Sequence, residues 1–351
     1  MNLEALHAQL SQLLATLDFD RIWPGFTPLR FALYDESRCF FDGRWVEKTD
    51  AFCANTSIVY QGEQIAIWMV QEETDVCVLC SKLVHEMFHG YQSVMGWDCW
   101  PNEMEALYRY EYGAENLSLK LRENELLLTL LDRFDEGALR ELLAHRKRRS
   151  LRFPFEFSYE SRAEEIEGTA NYVEWQALQQ LDRQKAAQWT ERLRSRLTKP
   201  EMLFPIRISC YDTGALLVHA LRSAGRYSFA PAERPVICSV LQEVEPSDGC
   251  FPSAETRLRE TSEAVTAFQT ETEAIVRAAL ERNELLLRGP LELTGVNIYD
   301  ARCRNGFLTS TYFLAYRDGA EDKLLSGNFV IRMRDEKTID AVYRWEKQEA
   351  Q

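Results

Sequence analysis

Two of the five histidines in this 351-residue chain stand in His85-Glu86-Met87-Phe88-His89, inside the apolar-periodic run from Val76 to Met95. That periodicity predicts a helix. Positions four apart on a helix differ by roughly 40° around its axis, so His85 and His89 project from one face and can grip one metal ion. Glu86 lies beside them rather than between them. A carboxylate there can act as general base toward water without occupying the metal, provided zinc has lowered that water's pKa to about 7.

A catalytic zinc takes three protein ligands and keeps one position open, commonly with two His and one Glu. The segment Glu164-Glu165-Ile166-Glu167-Gly168-Thr169-Ala170-Asn171-Tyr172-Val173-Glu174 puts several acids on a second predicted helix. Gly168 and Ala170 beside Glu167 would let that helix pack closely against the first. Glu167 is therefore the expected third ligand, and the cofactor expected is zinc.

With these residues the chain resembles the gluzincin metallopeptidases, the group that includes thermolysin and the aminopeptidase N family, where HExxH on one helix is joined by a Glu on the next. The aminopeptidase pattern Glu-Gly-x-Ala-x-Tyr is matched by Glu167, Gly168, Ala170 and Tyr172. The resemblance gives Asn171, one turn after Glu167, the place of a residue that orients a metal-bound histidine. It also makes Tyr211, in Tyr211-Asp212-Thr213-Gly214-Ala215, the donor to the oxyanion that builds up during peptide hydrolysis. Upstream, Asp50-Ala51-Phe52-Cys53-Ala54-Asn55 and Ser57-Ile58-Val59-Tyr60 resemble the edge strand of a thermolysin-like upper sheet, with Ala51, Phe52 and Cys53 as expected substrate contacts. The Gly-x-Met-Glu-Asn segment that holds a free amino terminus in aminopeptidase N is absent, which argues against aminopeptidase activity. The gap from His89 to Glu167 is longer than in that family, so the helices expected from Met104 to Arg149 would shape a different cleft.

Other features are assigned structural roles. Cys77 and Cys80 form a CxxC without a partner pair and read as core thiols. The run His145-Arg146-Lys147-Arg148-Arg149 reads as a solvated helix end, where cations are favoured. Trp97 and Trp100 read as loop anchors and His219 as a packed histidine, with a cleft wall and an oxyanion donor as their sharper alternatives.

The elements that must position these groups follow from periodicity. Residues 1–70 predict an amino-terminal helix and antiparallel hairpins turning at Asp42-Gly43 and Gln61-Gly62, residues 71–228 a helical zinc-binding body, and residues 229–351 a helical linker and a small carboxy-terminal β domain. The fold class expected is α+β, mostly helical and zincin-like, with a small antiparallel amino-terminal sheet and a carboxy-terminal β appendage. Forty-one basic against 55 acidic residues leave a net charge of −14, which repels polyanions, so no nucleic acid partner is expected. No apolar stretch is long enough to span a bilayer, so no membrane partner is expected either. Nine cysteines at irregular spacing and an amino terminus without a leader pattern suggest free thiols and a cytoplasmic location. The function expected is zinc-dependent hydrolysis of a peptide or protein substrate. The alternatives are a non-catalytic zinc-containing binding or regulatory protein and a zinc hydrolase of a non-peptide amide.

Overall fold

Period-2 segments at both ends of the chain and period-3.6 segments between them produce two sheets around a helical body. A computed structural model describes residues 2–71, 75–225, 237 and 254–346. Of the expected helical linker and carboxy-terminal β domain at 229–351, residues 229–236, 238–253 and 347–351 lie outside the described residues.

Helix α1 (Leu3–Leu14) begins where the Asn2 side chain accepts from the backbone N–H groups of Glu4 and Ala5, and it buries the leucine stripe of Leu3, Leu6, Leu10 and Leu14. After the short α2 (Phe19–Ile22) come β1 (Phe31–Tyr34), β2 (Cys39–Phe41), β3 (Arg44–Val46), β4 (Thr56–Tyr60) and β5 (Glu63–Met69), ordered β3-β2-β1-β5-β4. The expected hairpins form: Asp42-Gly43 and Gln61-Gly62 adopt positive φ at both turn positions, as tight primed turns require. The sheet is nevertheless mixed rather than antiparallel, because β1 pairs in parallel with β5. All four residues of β1 and the centre of β5 are buried, and strands covered on both faces suit parallel pairing. Strand β4 stands at the sheet's edge.

The body comprises α3 (Val76–Val94), α4 (Glu103–Arg109), α5 (Ala114–Asp132), α6 (Glu136–Arg152), α7 (Pro154–Ala163), a π-helical turn at Glu164–Gly168, α8 (Thr169–Leu181), α9 (Arg183–Leu197), a 3-10 turn at Pro200–Leu203 and α10 (Ile206–Ser223). Helix α11 (Ala254–Arg282) leads into β6 (Leu285–Val296), β7 (Arg302–Arg304), β8 (Phe307–Ser310), β9 (Phe313–Asp318), β10 (Glu321–Ser326), β11 (Phe329–Met333) and β12 (Thr338–Arg344). These strands form one antiparallel sheet, ordered β10-β9-β6-β12-β11-β8-β7, with its own apolar core. The protein is thus α+β. Among the described residues, no helix is long and apolar enough to cross a membrane.

The basic run 145–149 is not a solvated helix end. His145, Arg146 and Arg149 are buried, and the two arginines continue the stripe of Leu139, Leu142 and Leu143 on α6. Arg146 Nη2 donates to Glu164 Oε2 (2.5 Å), and Arg149 donates to Glu123 Oε2 (2.9 Å) and Glu160 Oε1 (2.6 Å). Lys120 Nζ donates to Glu164 Oε1 (2.8 Å) and lies 3.1 Å from Glu160 Oε2. Each of these charges is paired inside the protein, as a buried ion must be. Cys77 and Cys80 do pack in or against the main core, where burial pushes both thiols up, Cys80 to about 12.

Candidate metal centre

Helix α3 starts at Asp75, whose carboxylate accepts from the N–H groups of Cys77 and Val78, and it presents Val78, Lys82, His85, Glu86, His89 and Ser93 along one cleft. One turn after Glu86 the same helix meets the amino-terminal sheet at Gly90. A Cβ added at Gly90 would come within 2.3 Å of Leu29 Cδ1 and 2.9 Å of Gln64 Cγ, so any larger residue there would have to push these side chains aside for the histidine helix to lie this close to the sheet.

Three donor atoms converge on the cleft. His89 Nε2 lies 3.1 Å from His85 Nε2 and 3.2 Å from Glu167 Oε2, and His85 Nε2 lies 3.7 Å from the same oxygen. Tetrahedral ligands about 2.0–2.1 Å from a zinc ion are spaced by roughly 3.3–3.4 Å, so the set has the right dimensions for zinc. Residues behind the histidines fix which nitrogen faces inward. His89 Nδ1 donates to Gln92 Oε1 (2.8 Å), whose amide nitrogen donates to Ile166 O (2.8 Å) and Thr169 Oγ1 (2.9 Å). His85 Nδ1 lies 3.2 Å from Glu174 Oε2. With protons on both Nδ1 atoms, two Nε2 lone pairs face each other, an arrangement that needs a cation or a proton between them. Burial works against charge on His85, but Glu167 and Glu174 outweigh it and raise its pKa to about 10. Burial likewise opposes charge on Glu167, yet His89, His85 and Arg207 hold its carboxyl well below the usual range.

Glu167 sits on the π-helical turn, a local widening frequent at functional sites. Gly168 does not pack against the histidine helix as expected. A Cβ there would lie 2.5 Å from Gly214 Cα, and one at Gly214 would lie 2.6 Å from Glu164 O. The two glycines bring α10 into backbone contact with this turn, which puts Tyr211, one turn before Gly214, into the cleft. The Tyr211 and His85 rings stack with centroids 6.1 Å apart. Burial and the Glu167 charge keep the Tyr211 phenol protonated far above its ordinary range.

Asn171 does not orient a histidine. Its side chain donates to Tyr211 O (3.1 Å) and Asp212 Oδ1 (3.4 Å), tying α8 to α10. Glu174, seven residues after Glu167 on nearly the same helical face, faces His85 instead. Ala51, Phe52 and Cys53 do not line the cleft either. Phe52 is 1% exposed among Tyr34, Phe41 and Tyr60, while Asn55, Thr56 and Ser57 form the cleft wall. Turning the side chain of Phe52 into the core displaces the candidate contact strand by a few residues. Trp97 is buried as an anchor, whereas Trp100 lines the cleft 6.0 Å from the His89 ring. His219 packs edge-on against Trp175, where burial lowers its pKa.

Arg207 and Tyr299 were missed by sequence reasoning. Arg207, one turn before Tyr211, donates to Glu167 Oε1 (2.6 Å) and Tyr211 Oη (3.3 Å) and pairs with Glu103. Spacing from Tyr211 could have flagged it. Tyr299 comes from the turn between β6 and β7, half exposed, with its hydroxyl 3.2 Å from that of Tyr211. Nothing local marks it, since 88 residues separate the two tyrosines. The cleft lined by His85, Glu86, His89, Glu167, Tyr211 and Tyr299 has a volume of about 750 Å3. Glu86 faces it without a hydrogen bond or ion pair among the described residues, and burial raises its pKa. Comparison with family models, curated proteins and solved structures finds no match.

Proposed function

We propose that the protein is a zinc-dependent hydrolase of peptide bonds, resembling the gluzincins in its ligand set and in the order of its site residues. The observation that carries this reading is the convergence of His85 Nε2, His89 Nε2 and Glu167 Oε2 in an open cleft beside unpaired Glu86. His85, His89 and Glu167 would hold the ion, with Glu174, Gln92 and Arg207 fixing their orientation. Bound there, zinc would act as a Lewis acid on the scissile carbonyl and make water acidic enough to attack at neutral pH.

The chain's own groups supply the remainder. Glu86 takes a proton from the attacking water and passes it to the leaving amine, a role its raised pKa suits. The Tyr211 hydroxyl donates to the oxyanion, with Arg207 and Tyr299 holding the phenol in place. Edge strand β4, whose Thr56 and Ser57 line the cleft, can pair with an extended peptide and lay it along α3. A structural zinc would close its fourth position with another protein ligand, and among the described residues the metal-ligand group has three members.

The test is a quenched-fluorescence peptide library assayed with and without a chelator, together with elemental analysis. Purified protein should carry close to one zinc per chain, chelation should abolish cleavage, and His89→Ala should lose most of the metal. Full zinc in that variant, or cleavage indifferent to chelation, would overturn the reading.

A further inference from the structure

Charge in the cleft is unevenly satisfied. Glu167 is held by His85, His89 and Arg207, Glu174 faces His85, and Asp212 Oδ2 lies 3.5 Å from Arg196. Two cations are left over. Lys82 on α3 and Arg192 on α9 line the same cleft and make no ion pair among the described residues.

Their positions are set by helical spacing. Lys82 precedes Glu86 by one turn, about 6 Å along α3. An extended peptide advances about 3.3 Å per residue, so a substrate group one or two residues from the scissile bond comes level with Lys82. On α9, Trp189, Arg192, Leu193 and Arg196 follow the i, i+3, i+4, i+7 pattern of a single face, and that face borders the cleft. Trp189 and Leu193 provide an apolar wall along which cationic side chains can lie with their heads in water. The chain as a whole carries −14, so an anion is repelled by most of the surface and attracted where these cations focus the field.

We propose that this end of the cleft is a carboxylate subsite. Preferred substrates carry a carboxylate, as an acidic side chain or a free carboxy terminus, one or two residues from the scissile bond. The Arg192 fork takes it in bidentate fashion and Lys82 adds a point charge. This inference rests on the cleft being the peptide site.

Matched quenched peptides differing only as Glu or Gln at each position flanking the bond, each made with a free and an amidated carboxy terminus, test it. The carboxylate member of one pair should show kcat/KM about tenfold above its neutral partner, the scale of one charge-assisted contact. That preference should shrink in molar salt, where the screening length is about 3 Å. Arg192 is exposed, so Arg192→Glu should leave the melting temperature unchanged while erasing or reversing the preference; Lys82→Met should reduce it. Which pair responds distinguishes side chain from chain end. Anisotropy of the same peptides, dye-labelled, on Glu86→Gln protein reads binding without turnover. Carboxylate-selective binding with no cleavage by the wild type would keep the subsite and remove the hydrolase reading. Cleavage with equal rates throughout, or a preference surviving both substitutions, would overturn the subsite.

Discussion

Two clusters of buried charge meet at the π-helical turn Glu164–Gly168. On one side Glu164 joins Glu123 and Glu160 against Lys120, Arg146 and Arg149, three carboxylates with three cations. On the other side Glu167 stands with Glu86, Glu103 and Glu174 around Arg207 and two imidazoles. The first cluster is closed to solvent and balanced by its own side chains. The second opens on a cleft, and its carboxylates outnumber the cations in direct contact with them, a local deficit at the two imidazoles that a divalent cation would fill. Similar ingredients thus serve different ends: the balanced set fixes how α5, α6 and α7 pack, and the unbalanced one is suited to bind and to react.

That contrast predicts which property each substitution should damage. Glu86→Gln should keep fold and zinc while kcat falls by about 10²–10⁴-fold, the range for losing a general base; zinc loss in this variant would make Glu86 a ligand and redraw the open cluster. In the closed cluster Glu164→Gln leaves Lys120 and Arg146 with a missing charge and should cost about 3–5 kcal/mol of stability by denaturant titration. A neutral result there would mean the cluster is not sealed. Burial alone would raise the carboxyls of Glu160 and Glu164, but Arg149, Arg146 and Lys120 outweigh it and hold both below the usual range. Such groups stabilise the fold above the unfolded value of about 4.3 and lose that contribution as pH falls through the depressed folded values. Acid unfolding should therefore begin below about pH 4, and Glu164→Gln should flatten that limb.

Tyr211→Phe should lower kcat by about 10²–10³-fold with little change in KM, because an oxyanion contact forms only in the transition state. Tyr299→Phe should have a smaller effect that disappears in the Tyr211→Phe background; additive effects would mean that Tyr299 acts independently of Tyr211. Glu174→Gln should weaken zinc binding by about 10–100-fold, measured by competition with a chelator, and leave the melting temperature of the metal-free protein almost unchanged. A large stability loss instead would move Glu174 to the structural side of the comparison.

The two regions also differ in how far the sequence reveals them. His85, Glu86, His89 and Glu167 could be read directly, because metal chemistry demands particular residue types at helical spacing. Their supports could be read only in part. Gln92 shares a helical face with His89, which it orients, and Glu174 shares one with Glu167 while facing His85 on another helix, but many polar residues satisfy such a spacing, and Asn171 satisfied it while bonding elsewhere. The closed cluster was misread because a run of five basic residues suggests solvent exposure, whereas Arg146 and Arg149 occupy the apolar phase of α6. Partners for these arginines come from three other segments, so their burial depends on tertiary packing. Parallel pairing of β1 with β5 was hidden for the same reason, since each strand is locally a good hairpin arm.

The backbone contact between Gly168 and Gly214 has a dynamic consequence. Two helices that touch without intervening side chains cannot rotate or slide without collision, so Glu167, Arg207 and Tyr211 should behave as one rigid body. Any breathing of the cleft then falls to its other walls, edge strand β4 and the turn that carries Tyr299. Amide hydrogen exchange should be slowest where the two glycines meet and faster along those walls.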